Sequence, residues 1–275
     1  MGSLTEFVAS LPLLWVSVLA SLIAGLAAGV GALPILFVNR ASRRLQDVLL
    51  GGAAGIMLAA TCFSLLLPGL QIAAAQSGSV LGGGLLVGVG IITGAVGLWL
   101  MHRTLPHEHI VKGQESLAGG MLSAKRIRRI WLFVLAITLH NIPEGLAVGV
   151  GVASGDAIAG LAVTFGIFLQ NLPEGFVVAL AMLPLGWGRL QAILLALATG
   201  AVETVGGLIG AGAVTLSGAV LPWALAAAAG AMLFVISHEI IPETHENGHE
   251  TPATFGLICG FVIMMLLDVV LGVTA

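Results

Sequence analysis

Two short segments of this chain repeat one polar pattern inside apolar surroundings. Residues 140–145 read His-Asn-Ile-Pro-Glu-Gly, and residues 170–175 read Gln-Asn-Leu-Pro-Glu-Gly. In each hexad the first residue and the glutamate are four positions apart, so on a helix they share one face. An imidazole or amide held beside a carboxylate is a ligand set that binds divalent transition metals. The two hexads therefore predict metal ligands on two helices.

The proline of each hexad adds a second polar feature. Pro143 cannot donate a hydrogen bond to the carbonyl of Leu139, and Pro173 cannot donate one to that of Leu169. A carbonyl freed in this way inside lipid needs another partner, such as a metal, water or side chain. The glycine that ends each hexad lets a neighbouring backbone come close. Each hexad therefore predicts a polar, sterically open point in mid-helix.

Glu203 supplies a third carboxylate within an apolar run. Each charged side chain at the centre of a bilayer costs about 2.5–3.5 kcal/mol, so protonation, hydrogen bonding or a bound cation must offset the three carboxylates. Imidazole and carboxylate ligands suit zinc, cadmium, iron, manganese or cobalt better than Cu(I). Calcium and magnesium prefer all-oxygen ligands, which His140 does not provide. We expect such a metal as bound substrate, and no cofactor.

The composition indicates which elements position these residues. Of the 275 residues 58% are hydrophobic and only 8% are charged, whereas soluble domains carry roughly 25% charged residues. The chain is therefore predicted to be an all-α integral membrane protein, with one polytopic transmembrane domain over residues 1–275. The stretches long enough to span a bilayer are residues 7–37, 49–75, 79–101, 130–152, 157–183, 189–216, 220–241 and 253–273.

The positive charges orient these eight predicted helices. All ten Lys and Arg residues fall after helices 1, 3 and 5, so those loops are predicted to face the cytoplasm and both termini the outside. One cytoplasmic loop is long, residues 102–129, and contains His102, His107, Glu108 and His109; a second, shorter one is residues 242–252. No basic stripe indicates a nucleic-acid partner.

Successive helices run antiparallel, so the two hexads are related by inverted topology. Paired interrupted helices in inverted repeats indicate a transporter site near the bilayer midplane. We therefore expect a metal site between helices 4, 5 and 6, in a divalent metal transporter. No Walker A sequence is present, so ATP is not expected to drive it.

The two hexads, the eight spans and the long cytoplasmic loop resemble the ZIP (Zrt/Irt-like protein) metal transporters, in particular their bacterial GufA-like branch, over essentially the whole chain. The resemblance implies a homodimer in the cell membrane, the inner membrane in a Gram-negative bacterium. It also implies import into the cytoplasm by an elevator-like alternating-access motion, with helices 1, 4, 5 and 6 moving against the other four.

The resemblance further implies a binuclear metal centre. The implied primary ligands are His140, Glu144, Gln170, Glu174 and Glu203. The implied second site uses Asn141 and Asn171, with Glu144 and Glu174 bridging. Some bacterial members carry aspartate where this chain has Asn171, so we expect the second ion to be held more weakly here.

Three residues near the inner end of helix 7 are candidates for the path of metal release: His238, Glu239 and His245, with His249 following. An intramembrane zinc-dependent metalloenzyme is the rival interpretation. Common zinc proteases use His-Glu-x-x-His, but residues 238–242 read His-Glu-Ile-Ile-Pro, with proline in place of the second histidine. We expect a transporter and no enzyme. The sequence leaves open a passive channel, the preferred metal and the coupling ion.

Overall fold

The computed structural model describes residues 11–38, 40–104, 124–246 and 248–271, and all regular elements within them are helical. Eight helices in these ranges are long and apolar enough to cross a membrane, which confirms the predicted number of spans. They are α1 (Leu13–Leu36), α2 (Arg43–Ser77), α3 (Val80–Thr104), α4 (Ala124–Ala153), α5 (Ala157–Leu185), α6 (Arg189–Leu216), α7 (Gly218–His245) and α8 (Glu250–Leu271).

The turn between α4 and α5 shows how the sequence stops one span and starts the next. Gly155 adopts a φ of +84°, a left-handed conformation that favours glycine. The Asp156 carboxylate then accepts hydrogen bonds from the N–H groups of Ile158 and Ala159, both at 3.0 Å. These N–H groups have no partner within the helix, so the cap stabilises the start of α5.

The residues predicted to form the cytoplasmic loop, 102–129, are helical at both ends. Residues 102–104 continue α3, and residues 124–129 belong to the first turns of α4. The connection itself, 105–123, lies outside the described residues, and with it His107, Glu108 and His109. A helix can extend beyond the apolar layer, and the apolar spans themselves end at Met101 and begin again at Phe133.

The predicted loop 242–252 is also too long. Helix α7 continues to His245 and α8 begins at Glu250. The predicted span ends at residue 241, but the helix continues and Pro242 lies in the first turn of its last segment, Ile241–His245. A proline is tolerated inside a membrane-spanning helix where the helix adjusts locally, and the π-helical segment Ile236–Ile240 directly precedes this one.

Two spans contain π-helical segments that the sequence analysis did not predict. They are Thr61–Leu66 in α2 and Ile236–Ile240 in α7. Each ends two residues before a proline, Pro68 or Pro242. Such widened turns occur often at functional sites, and the second one contains Glu239.

Close backbone packing divides the spans into two sets. Helices α1, α4, α5 and α6 pack against one another, as do α2 with α8 and α3 with α7, and the two sets meet where α2 packs on α5 and α7 packs on α4. In the first set Gly25 and Gly200 touch so closely that a Cβ on either would overlap the carbonyl oxygen of the other. In the second set Gly55 lies in the same way against the main chain of α8, and Gly230 against that of α3. Small residues permit this closeness in membranes.

The boundary between the two sets is packed differently. Among the glycines that the structure describes, Gly166 of α5 is the one whose Cβ would meet the other set, and the nearest atoms are the sulfur and methyl carbon of Met264. The end of a flexible side chain can move aside, whereas a backbone carbonyl cannot. The close contacts of glycines with main chain therefore lie within each set, and the glycine contact across the boundary is with a side chain that can move.

The packing of the first set has the inverted-repeat relation that the two hexads predict. Gly31 of α1 lies against the main chain of Leu172 in the second hexad, and Gly206 of α6 lies against that of Ile142 in the first. Helices α1 and α6 cross where Gly25 touches Gly200. Gly31 follows Gly25 by six positions, and Gly206 follows Gly200 by six positions. Helices α1 and α5 thus pack as α6 and α4 do.

Candidate metal centre

The three predicted carboxylate ligands are buried on helices that pack together. Glu144 of α4 and Glu203 of α6 have no exposed surface, and Glu174 of α5 is 4% exposed. The three helices that carry these carboxylates pack directly on one another. Both oxygens of Glu144, and one oxygen each of Glu174 and Glu203, have no hydrogen-bond partner. Buried carboxylate oxygens without partners are rare and are suited to a cation.

The two hexad asparagines, both buried, donate to the main chain of neighbouring helices. Asn141 Nδ2 donates to the Thr199 carbonyl at 2.6 Å. Asn171 Nδ2 lies 3.0 Å from the Ala24 carbonyl and 2.5 Å from Glu203 Oε1. The asparagine amides therefore hold helices together, and Asn171 also holds one of the predicted carboxylate ligands.

His140 and Gln170 occupy the first position of each hexad and differ in their surroundings. His140 Nε2 is hydrogen-bonded to Glu239 Oε2 on α7. Gln170 has no exposed surface, and neither its amide oxygen nor its amide nitrogen has a hydrogen-bond partner. The bond from His140 joins the two sets of helices, since α4 belongs to one and α7 to the other.

The three predicted release-path residues lie in different surroundings. Glu239 contacts His140 and is thus next to a predicted ligand. His238 is exposed, and its ring lies 4.8 Å from that of Phe234 between centroids. His245 Nδ1 is hydrogen-bonded at 2.7 Å to the Ile241 carbonyl of its own helix. Glu239 is therefore the member of this group that extends the candidate site.

The predicted ligands do not converge on one point. Among the described residues, no three His, Cys, Asp or Glu side chains are grouped closely enough to hold an ion. The His140 ring is turned to Glu239, and the asparagine amides are turned to the main chain. Coordination of one ion by several of these residues therefore requires side chains to rotate.

Comparisons with known proteins identify the family. The model of the family described as ZIP Zinc transporter matches residues 103–268, a region that contains both hexads and Glu203. The chain is also 46% identical over 253 residues to zinc transporter GufA of Myxococcus xanthus, covering 92% of this chain and 98% of that protein. The chain belongs to the ZIP zinc transporter family.

Two further relatives of this ZIP protein cover most of its length. It is 44% identical over 254 residues to zinc transporter ZIPB of Bordetella bronchiseptica, which covers 90% of this chain and 79% of that protein. It is 32% identical over 320 residues to zinc transporter ZIP11 of Homo sapiens, which covers 88% and 93%. The resemblance to a GufA-like ZIP member is thereby confirmed, and the family and its named relatives are transporters rather than enzymes.

Helix α6 of this ZIP protein has an interruption that no pattern in the sequence predicts. The helix consists of two segments, Arg189–Ala201 and Glu203–Leu216, with Val202 between them. The Val202 N–H donates to the Thr199 carbonyl at 3.2 Å, a bond that spans three residues instead of four. No proline marks this point, so no local sequence signal could have predicted it.

A further buried carboxylate, on α8, is bonded to a serine hydroxyl of α2. Ser64 Oγ, in the π-helical segment of α2, donates to Asp268 Oδ1 of α8 at 2.9 Å. Asp268 has no exposed surface. A buried aspartate within a predicted span signals a functional or structural role, but the sequence gives no sign that Ser64 is its partner.

Proposed function

We propose that this ZIP protein carries zinc across the cell membrane, and that cadmium, iron, manganese and cobalt ions can use the same path. The observation that carries the proposal is the group of three buried carboxylates with unpartnered oxygens on α4, α5 and α6. His140 adds an imidazole beside them, and zinc accepts such a mixed nitrogen and oxygen set. The names of GufA and ZIPB, both zinc transporters, support zinc as the substrate.

The proposed primary site comprises His140, Glu144, Gln170, Glu174 and Glu203. The proposed second site comprises Asn141 and Asn171, with two of the glutamates bridging. The burial of all seven residues supports this assignment, because an ion that replaces its water shell needs ligands that are themselves shielded from water. Metal is the transported substrate in this scheme.

The proposed motion is elevator-like: α1, α4, α5 and α6 move as one body against α2, α3, α7 and α8. The close glycine contacts within each set, and the side-chain contacts between the sets, support this division. The proposal also includes import into the cytoplasm and a homodimer in the cell membrane or bacterial inner membrane. Both termini then lie on the outside. The positive charges after helices 1, 3 and 5 support the orientation.

The test of this function is metal uptake by sealed liposomes that contain the purified protein. We expect zinc and cadmium to enter with saturable kinetics, above the leak of empty liposomes. Folded protein that binds metal but passes none would contradict the proposal, and would turn attention to a metal sensor or a metalloenzyme.

Replacement of His238 and Glu239 together by Ala is expected to slow metal release into the cytoplasm. The Glu239 carboxylate bonds His140, a proposed ligand, from the opposite set of helices, so it can accept an ion as that ion leaves His140. Uptake by liposomes should fall several-fold while cadmium affinity is kept. Single variants separate the two residues, and because His238 is exposed, the effect should follow Glu239. Unchanged uptake in the double variant would refute this role.

Asn171→Asp is expected to strengthen binding of a second ion and to destabilise the metal-free protein. Asp cannot donate to the Ala24 carbonyl or to Glu203, and it places a fourth carboxylate among three. A second cation would offset that repulsion. Metal content per protein and the thermal midpoint, each measured with and without cadmium, check both effects. If stoichiometry and affinity match the wild type, Asn171 does not limit the second site.

A further inference from the structure

Each hexad docks on a neighbouring parallel helix through the same pair of contacts. In the first hexad Asn141 Nδ2 donates to the Thr199 carbonyl, and Gly145 lies against the carbonyl of Glu203. The two carbonyls of α6 are four residues apart, as are the asparagine and the glycine. The hexad therefore holds one full turn of α6 at both ends.

The second hexad makes the equivalent contacts with α1. Asn171 Nδ2 donates to the Ala24 carbonyl, and Gly175 lies against the carbonyl of Ala28. The spacing is again four residues on both helices. Ala28 therefore occupies in α1 the place that Glu203 occupies in α6. The shared architecture of the hexads is a docking device, and in one copy the docked turn carries a carboxylate.

The docked turn of α6 is the one that contains the interruption. The Thr199 carbonyl accepts from both Asn141 Nδ2 and the Val202 N–H, and the Val205 N–H donates to the Val202 carbonyl at 3.0 Å. Both backbone bonds span three residues, as in a 3₁₀ turn. Each residue in such a turn advances by about 20° more than in an α-helix. The turn therefore sets the direction in which the Glu203 side chain leaves α6.

We propose that Asn141 is a positioning residue that directs Glu203 into the metal site by holding the Thr199 carbonyl. This inference rests on the proposed metal site. The amide nitrogen performs the positioning, whereas the buried amide oxygen, which has no hydrogen-bond partner, is the atom that could bind metal. The two roles use different atoms of one side chain, so a substitution can separate them.

Asn141→Asp makes that separation. Aspartate keeps an oxygen and adds a negative charge, but it loses the donor and places a carboxylate against the Thr199 carbonyl. If Asn141 positions Glu203, cadmium affinity of the purified protein falls about 10–100-fold, as for other residues that orient metal ligands. If Asn141 serves as a ligand alone, affinity is kept or rises, and the proposal is overturned.

Ser21→Ala is the matched control. Ser21 is a buried side chain of the same helix set, and its Oγ also donates to main-chain carbonyls, at 3.0 Å to Ser17 and 3.4 Å to Gly145. It does not bond α6 through these contacts. We expect the cadmium affinity of Ser21→Ala to stay within about threefold of wild type. This variant also loses buried hydrogen bonds, but their loss should not displace Glu203.

A double-mutant cycle with Glu203→Gln shows whether the effect passes through Glu203. In the Glu203→Gln background, Asn141→Asp should change cadmium affinity by less than about threefold, because the ligand that it positions is already lost. Equal losses in both backgrounds would overturn the proposal. If Asn141→Asp does not fold, Asn141→Ala replaces it: a positioning role predicts a weaker primary site, and an unweakened primary site contradicts it.

The binding measurement keeps this inference distinct from the proposed transport. A wild-type protein that binds cadmium but does not transport it would refute the proposed transport and would not affect the test of Asn141. An Asn141→Asp variant that binds cadmium as tightly as wild type would refute the positioning role and would not affect the proposed transport. A folded wild type that binds no cadmium overturns both.

Discussion

Replacing Glu144 or Glu174 by Gln should abolish zinc uptake and lower cadmium affinity by about 100-fold or more. Loss of one partner from a buried, directly paired charge typically costs 2–5 kcal/mol or more, and Glu144 offers two unpartnered oxygens to a cation. The folded protein should survive, because Gln has the same shape and removes a carboxylate from a buried group of three. The thermal midpoint without metal should therefore be unchanged or higher.

The matched control for this pair is Glu246→Gln, an exposed glutamate at the end of α7. Its uptake and affinity should equal those of the wild type. Calorimetric titration with cadmium and liposome uptake give the two readouts. Wild-type cadmium affinity in both Glu144→Gln and Glu174→Gln would remove these carboxylates from the metal site.

Gly145→Ala and Gly175→Ala should each destabilise the protein by about 1–3 kcal/mol or more, the range for overpacked cores. A Cβ at either position would overlap a main-chain carbonyl oxygen, that of Glu203 or that of Ala28. A main-chain atom cannot rotate away as a side chain can, so the helices must separate. Gly145→Ala should also weaken metal binding, because the carbonyl it displaces belongs to a proposed ligand.

Gly212→Ala is the control for these substitutions. Gly212 also lies in a described span, α6, but a Cβ there would meet nothing within 4 Å. Alanine at a helix position with free space is favoured over glycine by about 0.5–1 kcal/mol. The thermal midpoint in detergent should therefore rise slightly for Gly212→Ala and fall for the other two. Equal midpoints in all three variants would contradict the close packing.

The spans and their arrangement were within reach of the sequence. Lipid requires about 20 apolar residues for each helix, and all Lys and Arg residues of the chain follow helices 1, 3 and 5. Two hexads with the same polar positions then indicated an inverted repeat. Helix ends were less predictable, as at Pro242, because a proline stops a helix in one position and starts a turn in another.

The interruption of α6 shows what the sequence could not provide. Residues 199–206 contain no proline, and the turn at Val202 depends on a donor from α4, Asn141. A contact between residues 58 positions apart is set by the packing of whole helices. The partner of His140 was missed for the same reason, since Glu239 lies on another helix set.

The identity of the candidate ligands followed from residue type, whereas their geometry did not. Buried ionisable groups in a membrane are few, so His140, Glu144, Glu174 and Glu203 stood out. Side-chain directions depend on the local competition for hydrogen bonds. The Asn171 amide, predicted as a ligand, also donates to Glu203, and that contact follows only from the three-dimensional arrangement.

Counterflow is the most direct test that this protein is a zinc carrier. Liposomes that contain the protein are loaded with unlabelled zinc and diluted into a trace of radioactive zinc. A carrier that alternates its access should accumulate the label transiently above its equilibrium level, since unlabelled zinc leaving on the same site speeds its return. Label that enters without an overshoot would indicate a passive channel, and label that does not enter at all would contradict transport.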